Sequence, residues 1–350
     1  MAAQARANES TSAIDLDTGV VEAAEAALGA IGAARKEIGQ VIFGQQKVVD
    51  LSLITLLAGG HGLLVGVPGL AKTKLVEAMG TVLGLSARRV QFTPDLMPSD
   101  ILGSEVLDES SDGKRHFRFI KGPVFAQLLM ADEINRASPR TQSALLQAMQ
   151  EHHVTVAGER YDLPAPFHVL ATQNPIEQEG TYPLPEAQMD RFLMHVRIDY
   201  PSDADEVKVM RLVRTESAAK PEKPAAPPPQ IPQQAIFDAR AEIDRVATRD
   251  VVEAYMVGLI AATRRPADYG EHLRSWIAVG ASPRGTLALD KCSRTYAWLQ
   301  GREYITPEDV QAVAHDCLRH RISLGYEAGA DGVSADAVLD EIVKQVAVAV

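Results

Sequence analysis

The chain predicts an α/β protein: a parallel sheet with helices on both faces, followed by a small all-helical domain. Five apolar strand-like segments, at 63–65, 89–92, 128–131, 168–172 and 195–199, alternate with helical stretches, the pattern of parallel strands joined by crossover helices. The last third carries helical periodicity alone, at 235–247, 250–263, 284–300, 307–323 and 334–349. A proline-rich run, 220–229, separates the two regions; its fixed φ angles and missing donors make it extended and semi-rigid.

In chain order, residues 1–18 are small and polar and predict a disordered N-terminus. A helical pattern runs from Val20 to about Gly39 and opens a core placed at 19–200. Segment 93–123 interrupts the strand–helix alternation with prolines, glycines and the charged piece Asp108 to Arg118, which predicts projecting loops or a hairpin. The linker is set at 201–235 and the helical domain at 236–350. Thr306-Pro307-Glu308-Asp309 supplies an N-cap and a first-turn proline inside that domain.

The eight residues Gly66-Val67-Pro68-Gly69-Leu70-Ala71-Lys72-Thr73 follow the strand signal Leu63-Leu64-Val65. They open a helix marked by Leu75, Ala78, Met79 and Val82 and closed by Gly84. That context reads as a phosphate-binding loop. Gly66 and Gly69 let the chain curl so that backbone amides and the helix N-terminus cradle triphosphate oxygens. Lys72 reaches the β- and γ-phosphates, and the Thr73 hydroxyl ligates Mg²⁺. Ala71 stands where the usual pattern has a second glycine; it carries only a methyl, so a helical conformation is acceptable there and close phosphate approach is kept.

Leu128-Leu129-Met130-Ala131-Asp132-Glu133 reads as a buried strand ending in two carboxylates, at the end of a parallel sheet where ligands gather. Asp132 is the candidate Mg²⁺ carboxylate, and Glu133 the group that orients and polarises the attacking water. A third apolar strand, from Phe167, ends in Thr172-Gln173-Asn174-Pro175 and offers Asn174 as a sensor of the γ-phosphate.

At 350 residues with 46% hydrophobic content, the chain can bury a large core, and its length suggests two domains. The longest apolar stretch, Leu51 to Leu70, is broken by Gly59-Gly60-His61-Gly62 and is not a membrane span. The start lacks a basic segment before an apolar block, so the expected location is the cytoplasm. Cys292 and Cys317 are too few for a disulfide scaffold or the usual four-cysteine zinc site. A formal net charge of −11 argues against a nucleic-acid backbone as the main partner. The basic clusters 114–118 and Arg264-Arg265 are too short to reverse that sign.

The order of these motifs, continued by Met189-Asp190-Arg191-Phe192 and Gly280-Ala281-Ser282-Pro283-Arg284-Gly285, resembles an AAA+ ATPase of the MoxR family. The wording Phe92-Thr93-Pro94-Asp95, Ala131-Asp132-Glu133-Ile134-Asn135-Arg136 and Leu184-Pro185-Glu186-Ala187-Gln188 is close to that family, and the likeness spans roughly residues 38 to 325. The resemblance implies a P-loop AAA+ core, a helical lid, and assembly into a ring, usually a hexamer. It puts Arg191 at the arginine-finger position, reaching the nucleotide of the next subunit. It puts Arg284 at the lid sensor position, contacting the nucleotide of its own subunit. Phe43 and Gly44, within Val41-Ile42-Phe43-Gly44-Gln45, resemble the segment that packs near adenine.

The cofactors so implied are ATP and Mg²⁺. The expected work is chaperone-like remodelling or maturation of a protein complex, including metal or cofactor insertion beside a von Willebrand-type partner. A nucleic-acid motor and a nucleotide-switched binding module stand as alternatives.

Overall fold

β1 (Gly62–Val65) sits inside a sheet whose other strands come later in the chain. The computed structural model describes residues 25–109, 115–177, 179–218 and 229–348. The strands that follow are β2 (Ala87–Gln91), the hairpin of β3 (Gly103–Glu109) and β4 (Arg115–Lys121), and β5 (Leu128–Asp132). After them come the hairpin of β6 (His153–Val156) and β7 (Glu159–Asp162), then β8 (His168–Gln173) and β9 (Met194–Arg197). The five-stranded sheet has the order β2-β5-β8-β1-β9, and every pairing in it is parallel. From β1 the chain jumps to the far edge, steps back through β5 and β8, and crosses β1 to reach β9. This reversal beside β1 opens a crevice at the carboxyl ends of the strands.

Helices α1 (25–41), α2 (Gln46–Leu57), α3 (Lys72–Val82), α4 (Pro98–Leu102), α5 (Pro139–Glu151), α6 (Glu186–Met189) and α7 (Asp203–Ala218) belong to this part of the chain. Strand alternation sends successive side chains to opposite faces. Leu63 therefore packs in one buried cluster with Leu129 and Val169, while Leu64 joins Met130 and Leu170 in another. The second cluster runs without a break into the C-terminal helices through Leu259, Cys292, Val313 and Leu339. Those helices are α8 (Gln234–Arg245), α9 (Asp250–Arg264), α10 (Glu271–Trp276), α11 (Pro283–Leu299), α12 (Pro307–Leu318), α13 (Tyr326–Ala330) and α14 (Ala335–Gln345).

The joint between the two parts is polar as well as apolar. Arg321, with 2% of its side chain exposed, donates from Nε to Asp190 Oδ1 at 2.9 Å. Its other nitrogens donate to the carbonyls of Phe192 at 2.7 Å and Leu193 at 3.1 Å. His320 Nε2 lies 3.0 Å from the Phe192 carbonyl, and Arg319 donates to the carbonyl of His195 at 2.5 Å. The Cys317 carbonyl accepts from the same guanidinium, and removing this buried cation would leave Asp190 Oδ1 and backbone carbonyls short of a partner, a loss of several kcal/mol.

Two features differ from the sequence-based expectation, a helix in the segment read as linker and a strand pair in the C-terminal part. The segment read as linker, 201–235, contains the helix α7, and most of its proline-rich run lies outside the described residues. The expected disorder of 1–18 lies outside them too. The C-terminal part is not wholly helical, since β10 (Ile277–Val279) pairs antiparallel with β11 (Ser323–Leu324). Segment 93–123 forms α4 and the β3–β4 hairpin, registered from Gly103↔Lys121 to Glu109↔Arg115, so the hairpin reading holds there. No helix among the described residues is long and apolar enough to cross a membrane.

Candidate functional site

The turn after β1 and the start of α3 form one wall of a cavity of about 800 Å³. Six residues of the loop line it: Pro68, Gly69, Leu70, Ala71, Lys72 and Thr73. Gly69 has φ +85°, a conformation that side chains resist. Ala71 also lies in the left-handed region, at φ 55° and ψ 21°, and not in the helical conformation that its small side chain would accept. A methyl group there meets the steric penalty that glycine avoids.

Gly66 and Val67 do not line this cavity; they face a neighbouring recess with His195 and Arg319. Gly66 is required for a different reason than curling at positive φ. A Cβ on it would lie 2.7 Å from the Ile198 carbonyl oxygen, so the close approach of β9's continuation excludes any larger residue. Its own carbonyl accepts from Lys72 Nζ at 2.6 Å. Burial lowers the Lys72 pKa, and the charges of Asp132, Glu133 and Glu177 oppose that shift.

The opposite wall comes from the carboxyl ends of β5, β8 and β2. Asp132, Glu133 and Asn174 all line the cavity. Asp132 is buried; its Oδ1 accepts from Thr172 Oγ1 at 2.5 Å and its Oδ2 from Arg89 Nε at 3.0 Å and Nη2 at 2.5 Å. Glu133 has φ 54° and ψ 52°, an unfavourable backbone for a non-glycine residue. Thr172 Oγ1 accepts from the Glu133 amide at 2.9 Å and fixes that turn. The Glu133 carboxylate accepts from Gln91 Nε2 at 2.6 Å and pairs with Arg136 at 3.2 Å. Asn174 is buried, with Oδ1 accepting from the Ile176 amide at 3.2 Å, which leaves Nδ2 as the donor.

Arg89 and Gln91 are cavity residues to which the sequence reading gave no role. The signal was present: they stand two apart at the end of a strand and therefore on one face. The third wall is more apolar, with Val41, Phe43, Tyr200, Val209, Met210 and Leu212. Four of these lie in or just before α7, the helix missed in the supposed linker. Gly44 does not line the cavity; at φ +70° its Cβ position falls 2.8 Å from Asp205 Oδ2, so it is a packing glycine under α7.

Two arginines stand elsewhere. Arg191 and Arg284 share a second recess, of about 240 Å³, with His61, Asp190, Lys291 and Arg321. Gly59 and Gly60, which precede β1, form its floor, whereas the phosphate-type loop follows β1. The two sites are thus separated by the length of that strand, roughly 13 Å. Arg284 Nη1 lies 3.8 Å from Asp190 Oδ2, and Ser282 Oγ donates to the same oxygen at 2.8 Å. Arg284 thus stands in a recess other than the cavity lined by the loop, where the resemblance had put it against the nucleotide of its own chain. Four cations, Arg191, Arg284, Lys291 and Arg321, line this recess against the one carboxylate of Asp190, a composition that favours an anion.

Thr73 and Asp132 offer a hydroxyl and a carboxylate in one cavity, the hard oxygen donors that Mg²⁺ takes. Asp132 already accepts from a cation, Arg89, at that point. The donor set fits the metal.

Comparisons with known proteins agree with this architecture. Residues 61–194 match the ATPase family associated with various cellular activities (AAA), and residues 273–342 match the AAA lid domain. The chain is 42% identical to Chaperone MoxR1 of Mycobacterium tuberculosis, over 89% of this chain and 80% of that protein. It is 33% identical to Protein MoxR of Methylorubrum extorquens, over 83% and 86% of the two chains. A crystal structure from Cytophaga hutchinsonii, assigned as an ATPase, superposes with a TM-score of 0.87 at 40% identity, covering 96% of this chain and all of that one.

Proposed function

We propose, for a chain that belongs to the MoxR family of AAA+ ATPases, that it hydrolyses ATP at sites shared between neighbouring subunits and uses the resulting lid movement to remodel a protein client. The observation that carries this reading is the split between the two sites. The loop and both carboxylates lie at one end of the sheet, and Arg191 and Arg284 at the other.

In this reading the six lining residues of the loop hold the triphosphate through backbone amides and the α3 N-terminus, with Lys72 leaving the Gly66 carbonyl to meet the β- and γ-phosphates. Val41, Phe43, Tyr200 and Met210 give the adenine an apolar slot. Thr73 and Asp132 hold Mg²⁺, which when bound neutralises charge on the phosphate oxygens. Glu133 accepts the proton of the attacking water, and Asn174 Nδ2 donates to the γ-phosphate or aligns that water.

Arg191 and Arg284 then serve the neighbouring subunit's nucleotide, where charge develops on the transferred phosphoryl group. A ring, with six subunits the family's usual number, satisfies every such site. The lid is fastened to Asp190, next in the chain to Arg191, so a change in lid angle and a change in finger position are one movement.

The name Chaperone MoxR1, carried by one relative, supports a protein client; maturation of a complex beside a von Willebrand-type partner, in the cytoplasm, is the finer form of the proposal. A phosphate-release assay on the purified chain, with and without Mg²⁺, tests it. Turnover that requires the metal and rises with protein concentration supports shared sites. Absence of nucleotide binding in calorimetry would remove the reading altogether.

A further inference from the structure

Arg89 lies on β2 with about half its side chain exposed, and it directs two nitrogens, Nε at 3.0 Å and Nη2 at 2.5 Å, onto the single oxygen Oδ2 of Asp132. Asp132 is the carboxylate at the end of β5, with 12% of its side chain exposed, and its other oxygen is engaged by Thr172 Oγ1. Two other cations near it are engaged elsewhere: Lys72 Nζ donates to the Gly66 carbonyl, and Arg136 pairs with Glu133. The guanidinium in direct contact with Asp132 thus comes from the neighbouring strand, and the Lys72 ammonium acts on the same carboxylate from farther off. Its Nη2 also donates to Gln91 Oε1 at 2.9 Å, and Gln91 in turn holds Glu133. Two residues of β2 therefore occupy both carboxylates that end β5 and open the following turn.

We infer that Arg89 is a resident counter-cation that has to leave Asp132 before this carboxylate can ligate a metal, so that Arg89 sets the metal affinity of the site. The inference rests on the nucleotide-site reading above. A guanidinium and a divalent ion compete for the same oxygen, since Nε and Nη2 of Arg89 fill both acceptor sites of Oδ2, and a metal at about 2 Å from that oxygen must displace them. The arginine is positioned to yield. Its half-exposed head returns to water at little cost, because partly exposed pairs are weak, whereas a buried guanidinium such as Arg321 could not. Between bindings, the arginine keeps a buried carboxylate paired and prevents the cluster of Asp132, Glu133 and Glu177 from repelling itself.

The test uses the full chain with Mn²⁺ as the metal probe, read by loss of the free-ion electron paramagnetic resonance signal at saturating ADP. Arg89→Gln keeps a polar side chain of similar reach without the charge. It should bind Mn²⁺ roughly threefold to tenfold more tightly than the unaltered chain. Arg89→Lys, which keeps the charge but offers a single ammonium in place of two aligned N–H groups, should fall between them. Unchanged or weaker Mn²⁺ binding by Arg89→Gln would overturn the proposal, as would weaker binding of mant-ADP at saturating metal, which would make Arg89 a phosphate ligand. If the Gln variant does not fold, the Lys variant carries the same sign test. Failure of the unaltered chain to bind mant-ADP at all would instead strike the nucleotide-site reading.

Discussion

Arg284 stands 3.8 Å from Asp190, beside Arg191 and on the far side of β1 from the loop that ends in Lys72 and Thr73. Under the proposed function this placement assigns Arg284 to the site of a neighbouring chain. A lid arginine that lined its own cavity would allow a single subunit to bind and sense nucleotide alone. Here the same carboxylate that precedes Arg191 in the chain is gripped by Arg321, Ser282 and Arg284 of the lid. The lid thereby holds the residue that precedes Arg191.

Arg284→Ala should accordingly lower turnover by roughly 10²-fold while leaving the affinity of the dilute, unassembled chain for mant-ATP unchanged. Steady-state phosphate release and a fluorescence titration measure the two quantities. A large loss of affinity in the isolated chain would return Arg284 to its own nucleotide.

Glu133→Gln should keep nucleotide binding and cut turnover by roughly 10²-fold or more, because an amide cannot accept the proton of the attacking water. Rapid-quench measurement of product formed on the protein distinguishes this from slow product release. Chemistry at an unaltered rate would transfer the role of base to another group.

Ala71 adopts φ 55° at the entry to α3, a conformation that costs a β-carbon roughly 1–2 kcal/mol. Glycine removes that cost but loses more freedom on folding, so Ala71→Gly should stabilise the chain by about 0.5–1 kcal/mol. The thermal midpoint should rise by about 1–3 °C. A fall in the midpoint would mean that Ala71 contributes packing worth more than its strain.

Four histidines are held neutral by burial, His320 among them. His61 is pushed down to about 4, His168 to about 3 and His195 to about 4, with loss of water the largest cause in each. The hydrogen bonds of His61 fit the neutral ring: Nδ1 accepts from the Val169 amide, which leaves Nε2 to donate to the Met149 carbonyl. The unfolded chain binds a proton at each near pH 6.5, while the folded chain refuses it. Stability is therefore full above about pH 6.5 and falls as pH drops toward 4, by up to about 1.4 kcal/mol per pH unit for each histidine. Thermal midpoints across pH 7.5 to 4.5 should decline below 6.5. A flat profile would show that these rings are protonated in the folded protein.

The five sheet strands were legible because buried parallel strands read as short apolar runs, as in Leu128 to Ala131. The loop and the two carboxylates were legible because their chemistry needs particular residues at particular places. What escaped has physical reasons. α7 opens with Asp203, Asp205 and Glu206 and leaves Val207, Val209 and Met210 exposed, so it lacks the apolar stripe that marks a packed helix. β10 and β11, three and two residues long, are too short for alternation to register. Arg89 was read as part of a strand, and its role depends on β2 pairing with β5, a contact 43 residues distant in the chain. The subunit served by Arg284 depends on which side of the sheet the lid packs, which no motif encodes.

The central claim, that one chain's loop works with another chain's arginines, is tested most directly by mixing two inactive variants. Lys72→Ala removes the cation of the loop, and the double variant Arg191→Ala with Arg284→Ala empties the opposite recess. Turnover of the equimolar mixture should rise well above that of either protein alone, since some interfaces then join an intact loop to intact arginines. A mixture as inactive as its components, under conditions where the two proteins co-assemble, would contradict the shared site.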